Sequence, residues 1–202
     1  MKPGLMIATG NPGKLREFQA LLEEVPLDLL TAADLDVVPA IHESGQTYAE
    51  NAAIKARAFA AAAGVFALAD DSGLEVDALK GAPGLHSARL AGPGGSDADR
   101  RRLLLEKLYG FPPPWTARFR CLAVLADPAG AIWTTEGVCE GIIIPEERGR
   151  HGFGYDPIFY LEEEHATMAE LTKQRKNSLS HRARALKAML PILQRELDLD
   201  VD

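Results

Sequence analysis

The strongest constraint on this chain is a change of rhythm along it. Short apolar runs alternate with stretches of helical periodicity early on, and two long strand-like runs joined by a turn follow later. Leu5-Met6-Ile7-Ala8 reads as a buried strand, and Thr9-Gly10-Asn11-Pro12-Gly13 is turn chemistry. From Lys14 to about Glu24, Leu15, Phe18, Leu21 and Leu22 share one helical face, and Leu27 to Thr31 reads as a second strand. Thr47-Tyr48-Ala49-Glu50 is a capping-box pattern. It opens an alanine-rich helix that ends near Gly64, with Ala52, Ala56, Ala60 and Ala63 small enough for close packing on a sheet.

Phe66 to Ala69 reads as a strand closed by Asp70-Asp71-Ser72-Gly73, and Asp97 to Leu108 as a third helix. Ala117–Ala126 and Ala131–Cys139, joined by Asp127-Pro128-Ala129-Gly130, carry a hairpin signal, which Gly141 to Ile144 extends past a kink. A last helix spans about Ser180 to Leu197, and Pro191 is expected to kink or break it. Alternation followed by a hairpin predicts an α/β fold with a mixed sheet. No repeat or linker divides the chain, so residues 1–202 are expected to form a single domain.

With 202 residues the chain is long enough for one substantial core, and its 25% charged and 47% hydrophobic residues argue against disorder. The formal net charge of −7 disfavours long nucleic acid as a partner. A small anionic substrate then needs local positive charge or a metal to offset the overall field. Cys121 and Cys139 lie in apolar runs and read as buried free thiols of a reducing compartment. Met1-Lys2-Pro3-Gly4 does not open a leader, and no run approaches the roughly 20 apolar residues that span a bilayer. A cytoplasmic protein with no membrane partner is expected.

Four segments carry chemistry. In Thr9-Gly10-Asn11-Pro12-Gly13-Lys14 a strand enters a helix through glycines, a geometry suited to anions. It is not a Walker A loop, because only two residues separate the glycines and Leu15 follows Lys14. Lys14 stands in a first helical turn, where the helix dipole disfavours a cation. The same oddity recurs where Lys173, Arg175 and Lys176 precede a helix and His181, Arg182 and Arg184 open it. A shared anionic ligand explains both, while Lys173, Arg175 and Arg184 individually read as a solvated face.

The second segment is Asp70-Asp71-Ser72-Gly73. A carboxylate here suits Mg²⁺, which takes hard oxygen ligands and keeps several waters. Since strand side chains alternate, one aspartate faces the site and the other caps or salt-bridges. Glu43 is a possible second acid; alone it is a surface residue. Third, Asn51 and Lys55 share a face of the alanine-rich helix, Lys55 either contacting phosphate or snorkelling to solvent. Fourth, Phe153, Gly154, Tyr155 and Asp156 suit a planar ligand stacked on a ring, or equally a turn with tucked-in aromatics. No zinc spacing and no Gly-x-Ser-x-Gly elbow occurs.

Taken together, Thr9–Lys14, Glu50-Asn51-Ala52 with Lys55-Ala56-Arg57, Ala69–Leu74, Gly81-Ala82-Pro83-Gly84, Phe153–Asp156 and Ser180-His181-Arg182 resemble, in order, the inosine triphosphate pyrophosphatase family. These are the dITP/XTP diphosphatases that clear non-canonical purine nucleotides. The resemblance runs from about Leu5 to Leu193. It implies a long central mixed sheet flanked by helices, two lobes around a substrate cleft, and a homodimer. It also implies Mg²⁺-dependent hydrolysis of ITP, dITP and XTP to the monophosphate and pyrophosphate.

Carried over by position, Thr9, Gly10, Asn11, Pro12, Gly13 and Lys14 contact substrate, chiefly its phosphates. Asp71 is the proton acceptor, and with Glu43 it forms the metal site. Ser72, Lys55, Lys176, His181 and Arg182 contact substrate, and Phe153, Gly154, Tyr155 and Asp156 hold the base. Lys14, Lys55 and Lys176 are expected to steady the phosphates, and Arg182 or a loop N–H to read the 6-oxo group of the purine. His86, where relatives carry Tyr, and Pro191 depart from the family pattern outside these motifs. Two other functions fit the same residues: a phosphotransferase attacking the γ-phosphorus, and a non-catalytic nucleotide-binding module.

Overall fold

Strand β1 (Gly4–Ile7) is apolar on both of its faces, so both must be covered. In the computed structural model, which describes residues 2–199, they are. Met1, part of the segment read for a leader, lies outside the described residues. Leu5 and Ile7 pack with Phe18 of α1 (Pro12–Leu21) and with Ala185, Leu186, Met189 and Leu193 of α5 (His181–Glu196). Met6 points the other way, onto Ala52, Ala56, Phe59 and Ala60 of α2 (Tyr48–Ala63). Ala52, Ala56 and Ala60 have no exposed surface, so the helix backbone lies close to the sheet, as its small residues predict.

The sheet has seven strands in the order β2-β1-β3-β4-β5-β6-β7. The others are β2 (Asp28–Leu30), β3 (Phe66–Val76), β4 (Trp115–Ala126), β5 (Ile132–Ile143), β6 (Phe159–Leu161) and β7 (Ala166–Thr167). β1 runs parallel to β2 and β3, while β5, β6 and β7 pair antiparallel. The fold is thus α/β with a mixed sheet, as the sequence rhythm predicts.

The chain divides into two compact units. The first comprises Met1–Asp71, Cys121–Gly137 and Arg182–Asp202, and holds the two clusters just described. The second comprises Ser72–Arg120 and Val138–His181. Its core gathers Leu74, Val76, Ala117, Phe119, Cys139, Phe159 and Met168 with Leu104 and Leu108 of α3 (Asp97–Leu108). The alternate side chains of its strands are polar and pair across the sheet: Arg120 with Glu75 at 3.0 Å, and Thr116 and Arg118 with Asp77 at 2.6 and 2.5 Å.

Several local expectations change. β3 does not stop at Ala69; it continues through Asp70 and Asp71 to Val76, because each aspartate finds side-chain partners on its own face of the strand. The basic run from Lys173 is itself a helix, α4 (Lys173–Leu179), capped by the Thr172 hydroxyl. Pro191 breaks nothing: α5 runs on to Glu196. Pro191 and Lys187 are both exposed, so the carbonyl that loses its N–H partner lies on the exposed side of the helix. At the start of α2 the Thr47 hydroxyl accepts the Glu50 N–H, but the Glu50 carboxylate reaches back one residue further, to the Gln46 N–H at 2.6 Å. The Gly64 C-cap falls where predicted, in the left-handed conformation. His86 is exposed and disturbs no packing.

Candidate active site

Asp70 and Asp71 are neighbours on β3 with opposite fates, as strand alternation requires. Asp70 is 1% exposed. Its Oδ2 accepts hydrogen bonds from Arg182 at 2.8 and 3.2 Å, lies 3.0 Å from the Lys14 ammonium, and has the Cys121 thiol 3.7 Å away. Arg182 also pairs with Glu17. Burial opposes ionisation of Asp70. The charges of Arg182, Lys14 and Lys55 prevail and hold the carboxyl far below the usual carboxylate range. The Cys121 thiol is pushed up by burial and by the Asp70 charge beside it, which fits the inert buried thiol read from the sequence.

Asp71 faces a different group. Its Oδ2 accepts the Asn51 amide at 3.2 Å, and its Oδ1 lies 3.9 Å from the Lys55 ammonium. That ammonium is also 3.0 Å from Glu43 Oε1 and donates to the Asp70 backbone carbonyl at 2.7 Å. Two carboxylates from distant parts of the chain therefore converge on one lysine. Burial pushes the Asp71 carboxyl up against the pull of Lys55, Lys14 and the Asn51 hydrogen bond, and the Glu43 charge adds to the rise. A carboxyl held above its ordinary range can take a proton during turnover.

Asn51 orders this group from both ends. Its side-chain oxygen accepts the Gly45 N–H at 2.9 Å, which fixes the loop that carries Glu43, while its amide holds Asp71. Gly45 must be glycine here, since a Cβ would stand 2.8 Å from that same oxygen and 2.7 Å from the Glu50 Cβ. The sequence marks Asn51 only as sharing a face with Lys55; its place between the two acids depends on a loop that periodicity does not reveal.

The Thr9–Lys14 turn is closed on itself more than an anion loop requires. Asn11 caps α1 by accepting the Gly13 N–H at 2.7 Å and the Lys14 N–H at 3.2 Å, and the Thr9 hydroxyl accepts the Asn11 N–H at 3.2 Å. The cation that the helix dipole disfavours is compensated by Asp70.

In the second unit, Phe153 and Asp156 of the Phe153-Gly154-Tyr155-Asp156 loop meet Lys176 of α4. Asp156 is 3% exposed, and its Oδ2 accepts the Phe153 N–H at 2.9 Å and the Lys176 ammonium at 2.5 Å. The ammonium lies 4.9 Å from the centre of the Phe153 ring. Lys176, expected among the phosphate cations, is thus neutralised inside the loop expected to hold the base. Gly152 is required twice over: its φ is +76°, and a Cβ would fall 1.9 Å from the Asp156 carboxylate.

The Tyr155 hydroxyl donates to the Ser87 carbonyl at 2.8 Å. From α3, Asp97 accepts the Gly154 N–H at 2.7 Å and Arg101 donates to the Gly154 carbonyl at 2.8 Å, contacts with no signal in the sequence. His181 is 6% exposed and stacks on Phe119 at 4.8 Å. Ser72, next along β3 from Asp71, is half-buried.

The donor set bears on the metal. Glu43 and Asp71 already gather around one cation, the Lys55 ammonium. Among the described residues no group of three or more His, Cys, Asp or Glu side chains is placed to hold a metal. Two hard oxygens fit Mg²⁺, which is commonly held by one or two carboxylates together with substrate phosphates, and do not fit structural zinc. Among the described residues no helix is long and apolar enough to cross a membrane.

Comparison with known proteins points the same way. Residues 5–192 match the Ham1 family. The dITP/XTP pyrophosphatase of Desulforamulus reducens is 48% identical over 192 residues, 95% of this chain and 96% of the relative. That of Bacillus subtilis is 45% identical over 190 residues, 94% and 96% of the two chains. Among solved structures, a HAM1 protein from Coxiella burnetii superposes with a TM-score of 0.87 at 41% identity, covering 96% of this chain and 100% of the other. A nucleoside-triphosphatase / dITP/XTP pyrophosphatase from Mycobacterium abscessus gives 0.73 at 40% identity, covering 94% and 99%.

Proposed function

The chain belongs to the Ham1 family, and we propose that it hydrolyses the non-canonical purine nucleoside triphosphates ITP, dITP and XTP to the monophosphate and pyrophosphate. The observation that carries this reading is the pairing of Asp71 with Glu43 about Lys55, beside a neighbouring aspartate whose Oδ2 is held by Arg182 and Lys14.

Glu43 and Asp71 would hold Mg²⁺, which when bound supplies charge neutralisation of the triphosphate and acidifies a coordinated water. Asp71 accepts the proton of the water that attacks the α-phosphorus; its Oδ2 is oriented by Asn51. Lys55 and Lys14 steady charge on the phosphates, Lys14 being aimed by Asp70 and the turn Thr9 to Gly13 approaching with it. Arg182 is taken up by Asp70 and Glu17, which supports a positioning role toward the phosphate cations rather than reading of the purine. Phe153 to Asp156, with Lys176, Ser72 and His181, are proposed for the nucleoside end. The ring of Phe153 offers stacking, and the Tyr155 amide proton, which has no partner among the described residues, suits the 6-oxo acceptor.

We further propose a single-domain enzyme that acts as a cytoplasmic homodimer, with neither nucleic acid nor membrane as partner. The net charge of −7 supports the exclusion of long nucleic acid.

Incubation with ITP and Mg²⁺ tests the reading directly. IMP and pyrophosphate in equal amounts are expected, whereas orthophosphate or a phosphorylated acceptor would move the attack to the γ-phosphorus. Asp71→Asn is expected to lower kcat by about 10³-fold while nucleotide still binds, measured by single-turnover assay and calorimetry. Retained turnover would remove Asp71 from the role of base.

A further inference from the structure

The proposed base loop is held by a helix that carries none of the family motifs. At Gly154 both backbone groups are taken by α3, one turn apart: Asp97 Oδ2 accepts the N–H at 2.7 Å, and Arg101 Nη1 donates to the carbonyl at 2.8 Å. Neither side chain swings freely. Asp97 is pinned through its other oxygen by Arg100, and Arg101 is held on its far side by Glu147 through two bonds of 2.8 and 2.9 Å. The Arg101 side chain is only 12% exposed.

The peptide so gripped lies between the two groups proposed to meet the purine, the Phe153 ring before it and the Tyr155 N–H after it. Asp156 fastens the Phe153 N–H, and Ser87 takes the Tyr155 hydroxyl. These contacts fix the ends of the four-residue loop, while α3 fixes its middle.

We propose that Asp97 and Arg101 are positioning residues for purine selectivity: by clamping the Gly154 peptide they set where the stacking ring and the Tyr155 N–H stand, and so which purine edge is accepted. The inference rests on the reading of this loop as the base site. Selectivity that depends on a donor at a fixed place is lost when the donor shifts, since a misplacement of about 1 Å can cost on the order of 100-fold.

The experiment compares kcat/KM for ITP and for ATP, whose 6-amino group is a donor where ITP has the 6-oxo acceptor, in the wild type, Asp97→Ala, Asp97→Asn, Arg101→Met and Asp99→Ala. Thermal unfolding of each protein is followed alongside. Asp99 belongs to the capping box of α3 with Ser96 and does not touch the loop, so its variant reports what a weakened helix start does alone.

Asp97→Ala and Arg101→Met are expected to shrink the ITP-over-ATP preference by about tenfold or more, chiefly through a higher KM for ITP. Asp97→Asn, which keeps an oxygen for the Gly154 N–H, restores most of the preference, and Asp99→Ala leaves it unchanged. A preference that survives in folded Asp97→Ala and Arg101→Met overturns the clamp but not the function. An equal loss in Asp99→Ala also overturns the clamp, because helix stability would then be the cause. A wild type that does not prefer ITP over ATP overturns both.

Discussion

The two units each bury a carboxylate against cations, and they do so in different ways. Asp70 faces Arg182 and Lys14 among groups whose charges cannot relax, because a guanidinium stays protonated at any ordinary pH. Asp156 faces Lys176, an ammonium laid on an aromatic ring, and shares its oxygen with a backbone N–H. The first arrangement is a fixed scaffold beside the proposed base. The second is a cushioned pair within a loop that has to accept a ligand.

Removal of one partner from each pair sets the two against each other. Asp70→Ala leaves Arg182 buried with less negative charge around it, and the expected loss is about 3–5 kcal/mol of stability by urea denaturation. Lys176→Met is expected to cost less, about 2–3 kcal/mol, because the Phe153 N–H still binds the Asp156 carboxylate.

pH also separates the two variants. The folded Asp70 carboxyl lies below its unfolded value, so it stabilises the wild type above the ordinary carboxylate range and that stability is lost as pH falls; Asp70→Ala lacks this loss. Lys176→Met leaves Asp70 and its cations in place and is expected to keep that loss. Equal pH profiles in the two variants would erase the distinction between the units. The smallest effect belongs to the turn next to Lys14: Asn11→Ala removes the cap that binds two amides and is expected to cost about 1 kcal/mol, read as a lower Tm.

The sequence displays what is local. The alanine-rich helix with its Gly64 stop, the third helix over 97–108 and the hairpin over 127–130 follow from periodicity and turn chemistry. It conceals what pairing over distance decides. Asp70 and Asp71 look like a strand end, yet lie within β3 because Arg182, more than a hundred residues away, and Asn51 satisfy them. α4 is hidden because its basic first turn offends the helix dipole, an offence that Asp156 and Glu164 relieve by holding Lys176 and Arg175. In the site, residue types announced the acids and lysines, but no spacing could assign Lys14 to Asp70 or Lys176 to Asp156.

The column of alanines at 52, 56 and 60 has a consequence for chemistry as well as for packing. It works as a thin spacer: methyl groups line this column of the helix, and the length of one lysine side chain carries Nζ from α2 to Glu43, Asp71 and the Asp70 carbonyl. Thickening that spacer by a single isopropyl group, as in Ala56→Val, would lift the helix and shorten the lysine's grasp without altering any charged group. The reach of the site is gauged by the smallest side chains in it.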